Sequence, residues 1–309
     1  MKRRFVGVGT ALITPFNLEG EIDWAALKRL VDLQIAGGVD FLAPCGTTGE
    51  SSTQTMDEHK RLIQFTVETA AGRVPVHAGT GSNNTNEAIH LTREAEKAGV
   101  NGSLQVAPYY NRPTQEGLYR HFKAIAEACP RLSMVLYNIP SRCGVEIGVD
   151  TVSRLVMDCE NIVGIKEAGG NVDRVSQLRA ALGSRFIILC GDDSLTLPFM
   201  SVGAQGVISV ASNIAPRKVS QMVRACSAGN MEKALSLHEE LYWLFKALFV
   251  ETNPGPVKAA LSLMYPDVFW PVLRLPLAPM STDHLEELKS ALFDLGFLQE
   301  RKRSRDGQV

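Results

Sequence analysis

A lysine closes an otherwise apolar run, Ile162-Val163-Gly164-Ile165-Lys166-Glu167-Ala168. Burying an ammonium costs several kcal/mol unless it is paired or loses its proton. Two uses justify such a residue. One is an internal ion pair with a carboxylate such as Glu167. The other is an amine nucleophile, because desolvation favours the neutral lysine and frees a lone pair to attack a carbonyl. Strand alternation puts Ile162, Gly164 and Lys166 on one face and Val163 and Ile165 on the other, and Gly164 predicts open space beside the amine.

Other runs end in groups that act on carbonyls and carboxylates. One is followed by Gly46-Thr47-Thr48-Gly49-Glu50-Ser51-Ser52. Its glycines allow close backbone approach, and its hydroxyls and N–H groups suit a small anion. Without the glycine spacing and lysine of a P-loop, the motif fits a carboxylate better than a nucleotide phosphate; a plain Gly/Thr turn is the competing reading. Pro108-Tyr109-Tyr110-Asn111-Arg112-Pro113 offers two phenols, which packing or a subunit contact would equally explain. In Tyr137-Asn138-Ile139-Pro140-Ser141-Arg142, Tyr137 shares a face with Val135 and could carry protons. Arg142 presents a planar fork for a carboxylate, against the alternative of a surface salt bridge. Gly191-Asp192-Asp193 closes another run, where helix capping by an aspartate competes with function.

The elements that must position these groups are legible as eight β-rich apolar runs: Phe5–Thr14, Phe41–Gly46, Pro75–Gly81, Gly102–Pro108, Ser133–Pro140, Ile162–Ala168, Phe186–Asp193 and Gly206–Asn213. Their starts lie 20 to 36 residues apart, room for a strand, a helix and two loops. Asp23 predicts the cap of a helix with Leu27, Leu30, Val31, Gln34 and Ile35 on one face, stopped at Gly37-Gly38. Ala88, Leu91, Ala95 and Ala98 repeat at helical spacing before Gly99. Asp150 predicts another cap, ahead of Val152, Leu155 and Val156. Eight βα units in series predict an α/β fold, a (β/α)8 TIM barrel over residues 1–229, with an open doubly wound sheet as the competing arrangement. Residues 230–309 read as a C-terminal helical appendage with helices over Met231–Val250, Pro256–Met264 and Thr282–Leu298, suited to packing on the barrel or on another subunit. In a barrel all the reactive groups above fall at one rim, the C-terminal ends of the strands. Jointly that makes the separate structural explanations poor.

Composition narrows the class. With 309 residues, 45% hydrophobic and 21% charged, the chain has the make-up of a globular protein. A net charge of −1 argues against a general nucleic-acid or membrane-surface binder. No run of about eighteen apolar residues exists to span a bilayer, and Thr10, Thr14, Pro15 and Asn17 interrupt any signal-peptide core behind Met1-Lys2-Arg3-Arg4, so a cytoplasmic location is expected. Arg301-Lys302-Arg303-Ser304-Arg305 reads as a frayed, solvated tail. The six cysteines, Cys45, Cys129, Cys143, Cys159, Cys190 and Cys226, form no CxxC pair and read as free thiols. The six histidines form no HExxH or other ligand cluster, so no metal is expected.

On Gly46–Ser51, Tyr109–Pro113, Tyr137–Arg142 with Gly144, the opening Gly9–Phe16 and the later Asn253–Lys258, the chain resembles the dihydrodipicolinate synthase/N-acetylneuraminate lyase family of pyruvate-dependent class I aldolases. The threonine pair and Arg142 fit its synthase branch rather than the sialate lyases. The resemblance implies condensation of pyruvate with L-aspartate 4-semialdehyde to 4-hydroxy-tetrahydrodipicolinate, the first committed step of lysine and diaminopimelate biosynthesis. It implies an imine on Lys166, acid/base action by Tyr137, and a proton relay through Thr47 to Tyr110, the last donated by a neighbouring subunit. Thr48 would hold the pyruvate carboxylate and Arg142 that of the semialdehyde, with the backbone of Gly191 and Ile208 lining the pyruvate pocket. No cofactor is implied, since the imine is its own electron sink. Ser51, Ser52, His59, Asn83, Glu87 and Tyr109 match a cleft that binds L-lysine as an inhibitor in some bacterial members, though Met56 stands where sensitive enzymes often carry histidine. A homotetramer built as a dimer of dimers is the implied assembly. The alternatives are a lyase of N-acetylneuraminate or a keto-deoxy sugar acid from the same family, and a non-catalytic ligand-binding barrel.

Overall fold

Each of the eight apolar runs becomes a strand of one parallel sheet. The computed structural model describes residues 5–298; the readings of Met1–Arg4 and of the basic segment Arg301–Arg305 lie outside them. The strands are β1 (Gly7–Ala11), β2 (Phe41–Ala43), β3 (His77–Gly79), β4 (Gly102–Val106), β5 (Ser133–Asn138), β6 (Ile162–Glu167), β7 (Ile187–Cys190) and β8 (Gly206–Ser209). They hydrogen-bond in the order β2-β1-β8-β7-β6-β5-β4-β3. A parallel bridge between Leu42 and Val76 joins the two ends of that series. The sheet is therefore a barrel, and the open-sheet alternative is excluded.

The helices are α1 (Trp24–Gly37), α2 (Met56–Ala70), α3 (Thr85–Lys97), α4 (Gln115–Ala128), the short α5 (Pro140–Cys143), α6 (Val149–Asp158), α7 (Val172–Leu182), α8 (Thr196–Ser201), α9 (Pro216–Ser227), α10 (Met231–Ala247), α11 (Gly255–Met264) and α12 (Thr282–Asp294). Asp23 caps α1 by accepting from the Ala26 N–H, and Gly38 ends it in the left-handed conformation, as the sequence predicts. The expected cap at Asp150 is not formed. Helix α6 starts at Val149 behind Gly148, two residues earlier than that cap requires, so Asp150 lies inside its first turn, where its charge meets the positive end of the helix dipole instead.

Alternation along the strands builds two cores. Val8, Leu42, Ile165, Ile188 and Val207 face the helix layer, while Ala11, Phe41, Leu104, Val135, Tyr137, Leu189 and Ile208 fill the barrel. Strand β6 departs from simple alternation. Its pairing with β5 goes from Met134↔Ile162 directly to Val135↔Gly164, so Val163 is a bulge. Ile162 consequently joins Ile165 in the outer core, contrary to the sequence reading, and Val163 packs on the inner one. From Gly164 onward the predicted alternation holds.

Helices α10–α12 pack against α9, α8 and one another, and the connection after α11 crosses back to the barrel. Arg274 on that connection makes a bidentate contact with Glu58 (Nη1–Oε2 2.8 Å, Nη2–Oε1 2.6 Å) and donates to the Gly20 and Thr53 carbonyls. Glu58 also closes the capping box of α2 with Thr55. The Arg274 guanidinium holds the Glu58 carboxyl down at about 2, against an ordinary 4.5. With the folded value below the unfolded one, its stabilisation is complete above about pH 4.5 and lost as pH falls towards 2. The Tm deficit of Glu58→Gln against the parent chain is therefore expected to be largest near neutral pH and to shrink steadily below pH 4.5; a deficit that stays constant down to about pH 3 would assign the effect elsewhere.

Candidate active site

The barrel's inward face at its C-terminal rim collects the reactive groups. Tyr137 and Lys166 are register partners across β5 and β6, and the Lys166 Nζ sits 4.1 Å from the centroid of the Tyr137 ring. Both side chains are buried, at 5% and 6% exposure. Among the described residues no carboxylate is within ion-pairing distance of Lys166. Glu167, the partner offered by the ion-pair reading, points the other way. Its oxygens accept from Arg174 Nε (2.7 Å), Asn138 Nδ2 (2.9 and 3.0 Å) and the Gly169 N–H (2.8 Å). The lysine nitrogen thus rests against an aromatic face rather than a carboxylate.

Room beside the amine comes from a different glycine than expected. A side chain at Gly164 would strike Ile187, with its carbonyl oxygen only 2.6 Å from the added carbon, so that glycine serves close approach of β7. At Gly191 an added carbon would stand 3.0 Å from Lys166 Cε and 2.6 Å from Ala168 Cβ. Gly191 is therefore the residue that leaves the lysine stem its space. Ile208 lies in the same inner cluster as Tyr137. The capping reading holds for the aspartates that follow Gly191. Asp192 accepts from the Ser194 N–H, and buried Asp193 accepts from the Val210 and Ala211 N–H groups (2.9 Å each) and the Ser209 hydroxyl. Burial pushes the Asp193 carboxyl up to about 6.

The hydroxyl loop after β2 is held in an unusual shape. Cys45 and Glu50 both take left-handed backbone (φ 57° and 55°), a conformation that non-glycine residues adopt only when their surroundings insist on it. Thr14 Oγ1 and Gln54 Nε2 both donate to the Gly49 carbonyl (2.6 and 2.7 Å). Glu50 turns inward to a buried ion pair with Lys258 of α11 and accepts from the Arg274 N–H (3.2 Å). Lys258 also donates to the Val272 carbonyl and lies 3.9 Å from the Phe16 ring centroid. Burial brings its ammonium down to about 8 despite the attraction of Glu50. Thr48 Oγ1 accepts from Asn253 Nδ2 (3.0 Å), and the Asn253 carbonyl accepts from Arg142 Nη2 (3.4 Å). Asn253 thus joins the threonine loop to the arginine loop. Sequence reading used it only as part of the Asn253–Lys258 resemblance; the Asn-Pro dipeptide was the available signal.

One cavity of about 510 Å³ opens over this rim. Thr47, Tyr137 and Arg142 line it, as do Asn253, Ser51, Ser52, Met56, His59, Glu87 and Tyr109. Thr48, Lys166 and Ile208 are buried and, with Gly191, are not among its lining residues. Asn83 borders it through a bond from its side chain to the Tyr109 carbonyl (3.2 Å). His59 Nε2 lies 2.8 Å from the Gly79 carbonyl, and burial lowers its pKa. Tyr110 is set apart: it is 90% exposed, with φ 68°. Among the described residues no group of three or more His, Cys, Asp or Glu side chains could hold a metal ion, and no helix is long and apolar enough to cross a membrane.

Comparison with known proteins agrees with this arrangement. The model of the dihydrodipicolinate synthetase family matches residues 4–294. The chain belongs to that family. It is 51% identical over 297 residues to the 4-hydroxy-tetrahydrodipicolinate synthase of Persephonella marina, covering 96% of this chain and 100% of that protein. The solved synthase from Methylacidiphilum fumariolicum SolV is 56% identical, with TM-score 0.92 over 94% of this chain and 96% of its own. A family structure from Cyanidioschyzon merolae, 42% identical with TM-score 0.92 over 96% and 100%, has lysine bound. Family membership makes the chain an enzyme, a lyase of the lysine and diaminopimelate route, and removes the non-catalytic barrel.

Breaking the Glu50–Lys258 pair from one side leaves an uncompensated buried charge. Glu50→Gln or Lys258→Met should each cost about 3–5 kcal/mol in urea denaturation, and the double replacement should cost less than either. Strictly additive losses would show that the two residues act separately.

Proposed function

We propose that the chain condenses pyruvate with L-aspartate 4-semialdehyde to 4-hydroxy-tetrahydrodipicolinate through an imine on Lys166. One observation carries the reading: a buried amine without a carboxylate partner lies against a phenol at the barrel rim, 4.1 Å from its ring centroid. The neutral Lys166 amine attacks the keto carbon of pyruvate, and loss of water gives the imine. Loss of a methyl proton gives an enamine, whose carbon adds to the aldehyde. The amine of the bound semialdehyde unit then attacks the imine carbon, closing the ring and expelling Lys166.

Tyr137 carries the protons, with Thr47 and a Tyr110 from a neighbouring copy of the chain as its relay. An outward-facing Tyr110, 90% exposed on left-handed backbone, supports that donation, since it leaves the phenol open to a neighbouring copy. The assembly proposed is a homotetramer built from dimers. Thr48 holds the pyruvate carboxylate and Arg142 that of the semialdehyde, while the backbone at Gly191 and Ile208 lines the pyruvate pocket. No cofactor enters the sequence. The free thiols suit a reducing cytoplasm.

Borohydride added with pyruvate should fix a pyruvyl mass on Lys166, and Tyr137→Phe should lower kcat about 10²- to 10⁴-fold. An unmodified Lys166 would overturn the imine route. In a panel of aldehydes, aspartate semialdehyde should give the highest kcat/KM; a sugar or keto-acid aldehyde ranking first would move the chain to another branch of the family.

We also propose that L-lysine binds the end of the cavity bordered by Ser51, Ser52, His59, Asn83, Glu87 and Tyr109, as an inhibitor. Glu87 offers the carboxylate for its ammonium, and Met56 occupies the same wall. Lysine should lower the initial rate, and Glu87→Gln should relieve it. Rates indifferent to millimolar lysine would remove the site.

A further inference from the structure

Glu167 follows the nucleophile in sequence, and its charge is buried with 0% exposure. A carboxylate in that position costs more than an apolar residue of the same size unless its partners serve a purpose. Those partners are arranged around one loop. Residues 139–147 leave the end of β5, carry Arg142 on α5, and return. The neck of the loop is closed by two bonds to the backbone of a single residue, Ile147. Asn138 Oδ1 accepts from the Ile147 N–H (3.0 Å), and Arg174 Nη2 donates to the Ile147 carbonyl. Both clamping side chains are themselves oriented by Glu167, which accepts from Asn138 Nδ2 on both oxygens and from Arg174 Nε. Arg174 is 5% exposed and also meets Glu146 at 3.3 Å.

We propose that Glu167, Asn138 and Arg174 are positioning residues that hold Arg142 at a fixed distance from Lys166, and so set selection for an aldehyde that carries a carboxylate. Lys166 faces into the barrel while Glu167, one residue on, faces out to the neck of the loop. One strand end therefore registers both the nucleophile and the arginine fork. Substrate length between its aldehyde carbon and its carboxylate is read against that spacing. This inference rests on the role of Arg142 given under Proposed function.

The test uses the full-length enzyme with Asn138→Asp, which keeps the acceptor for Ile147 but opposes Glu167, and Arg174→Gln, which releases the Ile147 carbonyl. Thermal unfolding selects the folded variant, and either one suffices. Borohydride trapping with pyruvate reads Lys166. The kcat/KM is then compared for aspartate semialdehyde and for the same aldehyde without its carboxylate, 3-aminopropanal. The expected result is trapping within about twofold of wild type, a 10- to 100-fold loss, roughly, with aspartate semialdehyde that falls chiefly on KM, and no loss with 3-aminopropanal. Equal losses with both aldehydes, or a loss of trapping, would overturn the positioning role. A wild-type chain that traps no pyruvate would instead overturn the imine reading itself.

Discussion

The buried pairing of Glu50 with Lys258 is the constraint on which the rim depends. It joins a loop of the barrel to a helix more than two hundred residues later, in a place where neither charge can be left alone. Such a pair adds little net stability, because desolvation of both ions offsets their attraction. What it does is forbid partial structures. Glu50 itself takes left-handed backbone, as does Cys45, and the two threonines lie on the loop between them. Asn253, just ahead of α11, then reaches Thr48 from one side and Arg142 from the other. The C-terminal helices are in this sense part of the candidate site although they contribute few atoms to its cavity.

The pleat of β6 makes the second division of labour. Successive residues of opposite charge point to opposite sides of the sheet, so each is compensated by a different layer. Lys166 meets the inner layer and its aromatic ring, and Glu167 meets the outer layer of polar groups that fasten the following loop. A strand end that kept both charges on one face would have neutralised them against each other and left nothing to react.

Much of this architecture is legible in the sequence. Eight strands, the three C-terminal helices and the gathering of Lys166 against Tyr137, with Thr47 and Arg142 at the same rim, follow from apolar spacing, turn residues and strand position. Errors came where tertiary contacts decide. The space beside the amine belongs to Gly191 because β7 already fills the space at Gly164; no local pattern tells a glycine that admits a substrate from one that admits a neighbouring strand. The cap of α6 fell to Gly148, whose N–H is bonded by Gln115 from another unit. The Glu50–Lys258 and Asn253–Thr48 contacts span over two hundred residues and carry no signature in a single sequence. Tyr110 was legible as a phenol, but its exposure could be known only from the folded chain.

The bulge at Val163 separates the phase of the strand's first half from that of its second. Ile162 can obey the helix layer that covers it while Gly164 and Lys166 obey the barrel interior. The two halves of β6 are thus free to answer different demands, and a change in how α6 or α7 seats against the start of the strand need not rotate the amine out of the site. One unpaired residue acts as a slack joint between those two halves.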